Sequence, residues 1–141
     1  TYGPTMKLDD GRIFASLVSD VVNNRNLIIK SNGKAVRPFC YISDTIIALF
    51  TILLKGKNGE AYNISNPTQS VSVNQLAKII ANIFPEKHLK IIKKNNFKQR
   101  YVNKLVTIQK PDISKIQKLG WQPTFSIKNG FRRTIVSFLE N

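Results

Sequence analysis

Ser72-Val73-Asn74-Gln75-Leu76-Ala77-Lys78-Ile79-Ile80-Ala81-Asn82-Ile83-Phe84-Pro85 is the stretch on which the fold turns. Ser72 and Gln75 stand in the Ser-x-x-Gln arrangement, in which the hydroxyl accepts the backbone N–H three residues on while the glutamine side chain reaches back to the first amide. Leu76, Ala77, Ile79, Ile80, Ile83 and Phe84 then share one helical face, and Pro85 stops it. The spacing therefore predicts a helix with a defined start, a defined stop and one buried side.

Outward from this helix, extended segments and helices alternate. Residues 61–64 read as an extended run into the Asn66-Pro67 turn, and residues 89–92 as a strand after the helix. Further upstream, Ile13, Leu17, Val18, Val21 and Val22 recur at helical spacing behind Asp9 or Asp10 as cap, with a stop in residues 23–26. Residues 27–30 read as a short strand, 31–34 as a turn and 39–42 as a second extended segment. Ser43 or Asp44 then caps a helix through Leu54 that is apolar almost all round, closed by Gly56 and Gly59. Towards the end, Asp112 caps a short helix with Ile113, Ile116 and Leu119 inward and Gly120 after it. A last helix starts near Ser126 and carries Ile127, Phe131, Ile135, Phe138 and Leu139 on one face. This alternation predicts an α/β fold, several helices with short strands, in one domain over residues 1–141.

Composition narrows the function classes. The 141 residues are 42% hydrophobic and 9% aromatic, enough for one core. No run approaches the ~18 apolar residues of a spanning helix, the longest being residues 45–54, so no membrane partner is expected. The chain opens on Thr1-Tyr2-Gly3-Pro4 without an initiator Met or a signal-peptide pattern, and it reads as entered partway through. A single cysteine, Cys40, excludes an internal disulfide and a Cys-based metal cluster, and fits a reducing, cytoplasmic address.

The net charge is +14. Residues 1–54 carry 6 basic and 4 acidic side chains, residues 55–141 carry 16 and 4. Between residues 87 and 104, Lys87, Lys90, Lys93, Lys94, Lys98, Arg100 and Lys104 face no acid. Such a run binds phosphates, whether of a nucleotide ligand or of nucleic acid, or it is simply solvated surface. Only Phe97 and Tyr101 interleave with it, which sets the solvated reading ahead of a nucleic-acid module.

Catalytic groupings are missing. No G-x-G-x-x-G or G-x-x-x-x-G-K-[ST] loop occurs. His88 is the only histidine, and the acids Asp9, Asp10, Asp20, Asp44, Glu60, Glu86, Asp112 and Glu140 read mostly as caps and turn residues, so neither a nucleophilic triad nor a carboxylate pair is available. The chain reads as a binding half without a reaction centre.

Five segments, in order, carry a resemblance: Tyr2-Gly3-Pro4; Asp10-Gly11-Arg12; Arg37-Pro38-Phe39-Cys40-Tyr41-Ile42-Ser43-Asp44; Gly59-Glu60-Ala61-Tyr62-Asn63-Ile64-Ser65-Asn66-Pro67; and Pro111-Asp112-Ile113-Ser114-Lys115 leading to Leu119-Gly120-Trp121-Gln122-Pro123. Together they resemble the C-terminal, substrate-binding part of the extended short-chain dehydrogenase/reductase family, the NAD-dependent nucleotide-sugar epimerases, dehydratases and decarboxylases. Asp10-Gly11-Arg12 makes the UDP-glucuronate decarboxylase-like group the nearest in look.

The resemblance implies a nucleotide-sugar substrate, a 4-keto intermediate, and NAD bound by an N-terminal Rossmann lobe that this chain lacks, with no metal. It implies that the fragment is inactive alone, and that its parent is an enzyme and a homodimer paired mainly through the missing lobe. Residue by residue, Arg37 matches the arginine that contacts the substrate diphosphate, and Arg12 the arginine beside the sugar carboxylate, the one catalytic candidate here. Ile29 and Lys30 fall on the strand along the nucleotide base, and Tyr2, Gly3 and Pro4 on the cofactor's edge. The family's second diphosphate arginine is replaced by Ile108 and Gln109, with Lys110 or Arg100 as substitutes. Trp121 and Tyr62 read as packing. Besides the substrate-lobe reading stand a basic nucleic-acid-binding module and an inactive fragment kept as a scaffold.

Overall fold

The capping box forms as its sequence dictates. In a computed structural model that describes residues 1–94 and 108–140, Ser72 Oγ accepts from Gln75 N at 3.2 Å and Gln75 Oε1 accepts from Ser72 N at 2.8 Å. The helix it opens, the third in chain order, runs Val73–Ala81. The others are α1 Ile13–Val22, α2 Ile42–Lys55, α4 Ser114–Gln117 and α5 Ile127–Leu139, so the capped helix is α3. The strands are β1 Leu27–Ile29, β2 Val36–Pro38, β3 Ser70–Ser72 and β4 Ile91–Lys93. The outcome is the mixed α/β architecture expected, with very short sheets. β1 pairs parallel with β4, Leu27 opposite Ile91, and β2 pairs antiparallel with β3, Arg37 opposite Val71.

The main core lies where α1, α3 and α5 close over β1, built from Leu17, Val18, Val21, Leu27, Ile29, Leu76, Ala77, Ile80, Phe131 and Ile135. An aromatic cluster plugs one end: the Tyr2 ring stacks on Phe131 at 4.0 Å, and Phe39 meets Phe131 edge-on at 5.9 Å. Gly130 makes room for it, since a β-carbon there would lie 2.8 Å from Tyr2 Cζ. A second, smaller cluster gathers Cys40, Ala48, Ile113, Ile116 and Trp121, with Ile52, Tyr62 and Ile64 against it.

Several local expectations need correction. The extended segment forecast for residues 39–42 lies three residues earlier as β2, because Val36 to Pro38 find a ladder partner in β3, whereas residue 42 already opens α2. Residues 61–64 form no strand with any described residue and are held by side chains instead, Lys115 Nζ donating to Ala61 O at 2.9 Å and Asn63 Nδ2 to Asp112 O at 3.0 Å. Neither Asp44 nor Ser43 caps α2. Tyr41 occupies the N-cap without a side-chain bond, and Asp44 is fully buried in the first turn. Its carboxylate accepts from Thr124 N, Thr124 Oγ1 and Phe125 N at 2.8 to 3.1 Å, while Trp121 Nε1 donates to the Asp44 carbonyl at 3.0 Å. Asp20 likewise is buried, accepting from Ile28 N at 3.3 Å to hold β1 against α1. Asp112 sits one residue before the N-cap of α4, Ile113, and accepts from Ser114 N at 2.8 Å.

Candidate functional site

The helix that decides the fold also builds the site. Asn74, the second residue of α3, donates from Nδ2 to Asn32 O at 3.2 Å and from its backbone N to Gly33 O at 3.0 Å. Val73 N donates to Ala35 O at 3.2 Å. The turn of residues 31–34 is thereby pinned to the helix start. Gly33 permits this twice over: its φ of +69° lies in the left-handed region, and a β-carbon there would come within 2.5 Å of Asn74 Cγ. The turn closes on itself through Gly33 N to Ser31 Oγ at 3.1 Å and Lys34 N to Asn32 Oδ1 at 3.0 Å.

Beside this pinned turn opens a cleft of about 550 Å³. Leu8, Ile13, Ala35 and Val73 give it an apolar wall, and Lys30, Arg37, Ser16, Ser31 and Asp9 its polar groups. Arg37 is half-buried on β2 and donates from Nη1 to Val36 O at 2.9 Å, which fixes the guanidinium head at the strand. Lys30 is exposed just past the end of β1. Two cations from different strands thus converge on one apolar-walled cavity, of a size that suits a small organic anion.

The remaining sequence-derived candidates divide sharply. Arg12 does not line the cleft. It is the N-cap of α1, ion-paired to Asp10 and laid over the Phe14 ring at 4.6 Å, with Arg12 N donating to Asp10 Oδ1 at 2.9 Å. The guanidinium's hydrogen bond in turn holds the Asp10 carboxyl below its ordinary range. A cation already matched to a carboxylate is poorly placed to orient a second one, so its geometry is that of a brace for the Gly11 turn on the cleft rim. Ile29 is fully buried and gives its side chain to the core, because β1 turns that residue inward, leaving Lys30 alone of the pair in the cleft. Tyr2 and Gly3 are buried too; Tyr2 N donates to Cys40 O at 3.1 Å and Ile42 N to Tyr2 O at 2.9 Å, so the segment is a staple onto α2. Burial pushes the Tyr2 phenol up. Pro4 is half-exposed.

Lys110 lines a different depression of about 430 Å³, with Thr68, Asp112, Gln117 and Gln122, which shares no residue with the first. Gln109 nevertheless reaches Arg37's strand, its N donating to Val36 O at 3.4 Å. Arg100, Phe97 and Tyr101 lie outside the described residues. Among the described residues no group of three or more His, Cys, Asp or Glu gathers, and no helix is long and apolar enough to cross a membrane. Of the other cleft residues, Asp9 reads in the sequence only as a helix cap, Ser31 only as part of a turn and Val73 only as part of the opening of α3, and Ser16 has no reading there. The i, i+3 spacing of Ile13 and Ser16 on α1 is the signal that places Ser16 on the cleft wall.

Residues 1–65 match the model of a family described as the NAD dependent epimerase/dehydratase family. Over 131 residues, 92% of this chain, the sequence is 30% identical to UDP-glucuronic acid decarboxylase 6 of Arabidopsis thaliana, of which it covers 36%. The dTDP-D-glucose 4,6-dehydratase of Homo sapiens is 34% identical over 143 aligned positions, with 99% of this chain and 39% of that protein covered. Among solved structures, UDP-glucose 4-epimerase of Thermotoga maritima, crystallised with UDP-glucose, superposes with a TM-score of 0.81 at 26% identity, over 99% of this chain and 43% of that one. The chain therefore spans little more than a third of the length of these curated relatives.

Proposed function

We propose, from the match over residues 1–65 and the similarity to the proteins just named, that the chain is part of an enzyme of the NAD dependent epimerase/dehydratase family and that it grips the nucleotide sugar for chemistry of the UDP-glucuronate decarboxylase, 4,6-dehydratase or epimerase kind. The observation that carries this reading is the convergence of Lys30 and Arg37 on one apolar-walled cleft. A pyrophosphate presents several anionic oxygens at once. A planar guanidinium oriented by the bond from one terminal nitrogen, Nη1, to Val36 O has its remaining N–H groups to offer such oxygens, and the ammonium of Lys30 supplies a movable second charge. Leu8, Ile13 and Val73 offer the flat apolar surface that a base or sugar face covers, and Ser16, Ser31 and Asp9 the hydroxyl and carboxylate partners for ring hydroxyls.

We further propose that NAD is held by another part of the enzyme and not by this chain. It has no glycine-rich phosphate loop, and Tyr2 and Gly3, which the resemblance sets at the cofactor's edge, are enclosed between α2 and α5. The redox chemistry is accordingly assigned to residues beyond this sequence, and the role of the chain is to bind and orient.

Calorimetric titration of the 141-residue chain with UDP, UMP, UDP-glucuronate, dTDP-glucose and inorganic pyrophosphate tests the proposal. The diphosphates are expected to bind more tightly than UMP, and Arg37→Ala to weaken them by about 1.5–3 kcal/mol, roughly ten- to a hundredfold. Absence of binding at millimolar ligand, or equal affinity of Arg37→Ala, sinks it.

A further inference from the structure

The parallel ladder between β1 and β4 brings one more cation to the cleft than its wall carries. Leu27, Ile28 and Ile29 stand opposite Ile91, Ile92 and Lys93, and Lys94 N donates to Ile29 O at 3.1 Å. The pairing therefore runs on to the next position, where Lys30 and Lys94 are neighbours. Adjacent strands lie about 4.8 Å apart, and residues opposite each other in a ladder point to the same side while successive residues alternate. Burial follows that alternation: Leu27 and Ile29 are fully buried, whereas Ile28 is half-buried and its partner Ile92 is 41% exposed. Lys93 thus goes with Ile29 at the edge of the core, and Lys94 goes with Lys30, which lines the cleft. Two flexible four-carbon stems rooted one strand spacing apart can bring their ammonium groups to one anion without moving the backbone.

Among the described residues no carboxylate is committed to this pair. Asp10 is ion-paired with Arg12, Asp20 with Arg25 and Glu60 with Lys115. Asp44 is buried under Thr124 and Phe125, and Asp112 accepts from Ser114. Glu86 stands in the turn before β4, at the opposite end of that strand, and Glu140 follows α5. Asp9 is the one acid on the cleft, where Lys30 and Arg37 already face it. Like charges set side by side across a ladder repel, so the sheet carries a repulsion that a bound anion relieves. The two cationic edges come from different sheets, Lys30 and Lys94 from β1–β4 and Arg37 from β2–β3, with the cleft beside both.

We propose that Lys94 is a third cation for the ligand of this cleft, gripping its diphosphate together with Lys30 from the β1–β4 side while Arg37 holds it from β2. The identity of the ligand rests on the functional reading above, and the placing of Lys94 on the ladder alone. The same register distinguishes Lys94 from its neighbours in the basic run. Lys93 lies on the other face of the strand, and Lys90 precedes the strand, its N donating to Asn26 Oδ1 at 2.9 Å.

Calorimetric titration of the chain with UDP and with inorganic pyrophosphate, on Lys94→Met and Lys93→Met side by side, tests the proposal. The two substitutions remove the same charge from adjacent exposed residues, and the register alone separates them. Lys94→Met is expected to weaken both ligands by about three- to fivefold, the worth of a solvent-exposed ionic contact, and Lys93→Met to leave them unchanged. Equal weakening by both, the mark of a diffuse positive field, overturns the proposal, as does a Lys94→Met chain that binds like the unaltered one. Lys94→Arg separates charge from fold: it should keep the affinity, and a loss as large as that of Lys94→Met overturns the proposal in favour of a structural role for the side chain. The two readings fail separately. Binding of pyrophosphate but not of UDP, with the dependence on Lys94 intact, removes the functional reading and keeps this one; binding of UDP with Lys94→Met and Lys93→Met alike removes this one alone; binding of neither ligand removes both.

Discussion

Replacing Asp44 by Asn deletes one charge and almost no volume, and it is expected to cost this fold about 2–4 kcal/mol. The carboxylate is fully buried and satisfies three donors, Thr124 N, Thr124 Oγ1 and Phe125 N, at 2.8 to 3.1 Å. An asparagine oxygen can keep the two Thr124 donors, but its NH2 then faces Phe125 N–H, and a buried donor without a partner costs about 1–3 kcal/mol. The two retained bonds fall from charge-assisted to neutral, about 1 kcal/mol each, partly offset because a buried charge no longer has to be desolvated. Against a total stability of ~5–15 kcal/mol the net effect is large.

The sole tryptophan, Trp121, donates to the Asp44 carbonyl at 3.0 Å, a bond that Asp44→Asn leaves in place, so its fluorescence reports on this cluster in both proteins. Urea unfolding should show the midpoint moving down by about 1–2 M at an m-value of ~1–3 kcal/mol/M. A shift under about 0.5 kcal/mol would refute the reasoning, since it would mean that the segment from Thr124 to Phe125 is held by something other than this carboxylate.

Other substitutions test the packing. Gly130→Ala, although it raises helix propensity by about 1 kcal/mol, is expected to destabilise by a net 1–3 kcal/mol in thermal melts, because the new methyl meets a Tyr2 ring stacked on Phe131; adding Tyr2→Phe should restore part of the loss. Ser72→Ala should cost about 1 kcal/mol by urea unfolding, the worth of one N-cap acceptor. Acid should weaken the fold from about pH 4.5 downward. Asp10, Glu60 and Asp112 are held below their ordinary values of 3.8 and 4.5 by hydrogen bonds from Arg12, Lys115 and Ser114 respectively. Their contribution is therefore present above those values and lost as pH falls through the lowered folded ones. A melting temperature that is level between pH 7 and pH 3 contradicts this.

What was legible in the sequence was whatever depends on neighbours within one turn. The capping box of α3, the Ser126 start of α5 and most of the inward stripes of α1, α3 and α5 are local rules and form as read, but α3 ends at Ala81, four residues short of Pro85, so that Ile83 and Phe84 pack from beyond the helix, and Leu139 at the end of α5 is 43% exposed. What was not legible depends on partners far along the chain. Asp44 reads as a cap because Ser-Asp before an apolar run is a cap pattern, yet its donors lie about eighty residues away. The packing of the Tyr2 ring was not legible either, because the space it fills is created by Gly130, far along the chain. Arg12 reads as a cation for substrate, yet Asp10 two residues earlier takes it, an i, i+2 pairing that a helix would forbid and the Gly11 turn allows.

The same distinction separates the two cations that matter most from those that do not. Of 22 basic residues, Lys30 and Arg37 are the pair that the first cleft gathers, and they do not stand in the basic run at all. They converge because α3 pins the Ser31–Lys34 turn, which sets the end of β1 beside β2. A charge run in sequence says where repulsion must be solvated, whereas a binding site requires cations brought together from separate elements by uncharged packing that bears the cost of their proximity. Removing that packing should therefore weaken nucleotide binding without touching a charge. Asn74→Ala, which releases Asn32 from α3, should weaken UDP by at least threefold in calorimetry while Lys110→Ala, in the other depression, leaves it unchanged. The reverse order of effects would place the anion site at Lys110 and not at Arg37.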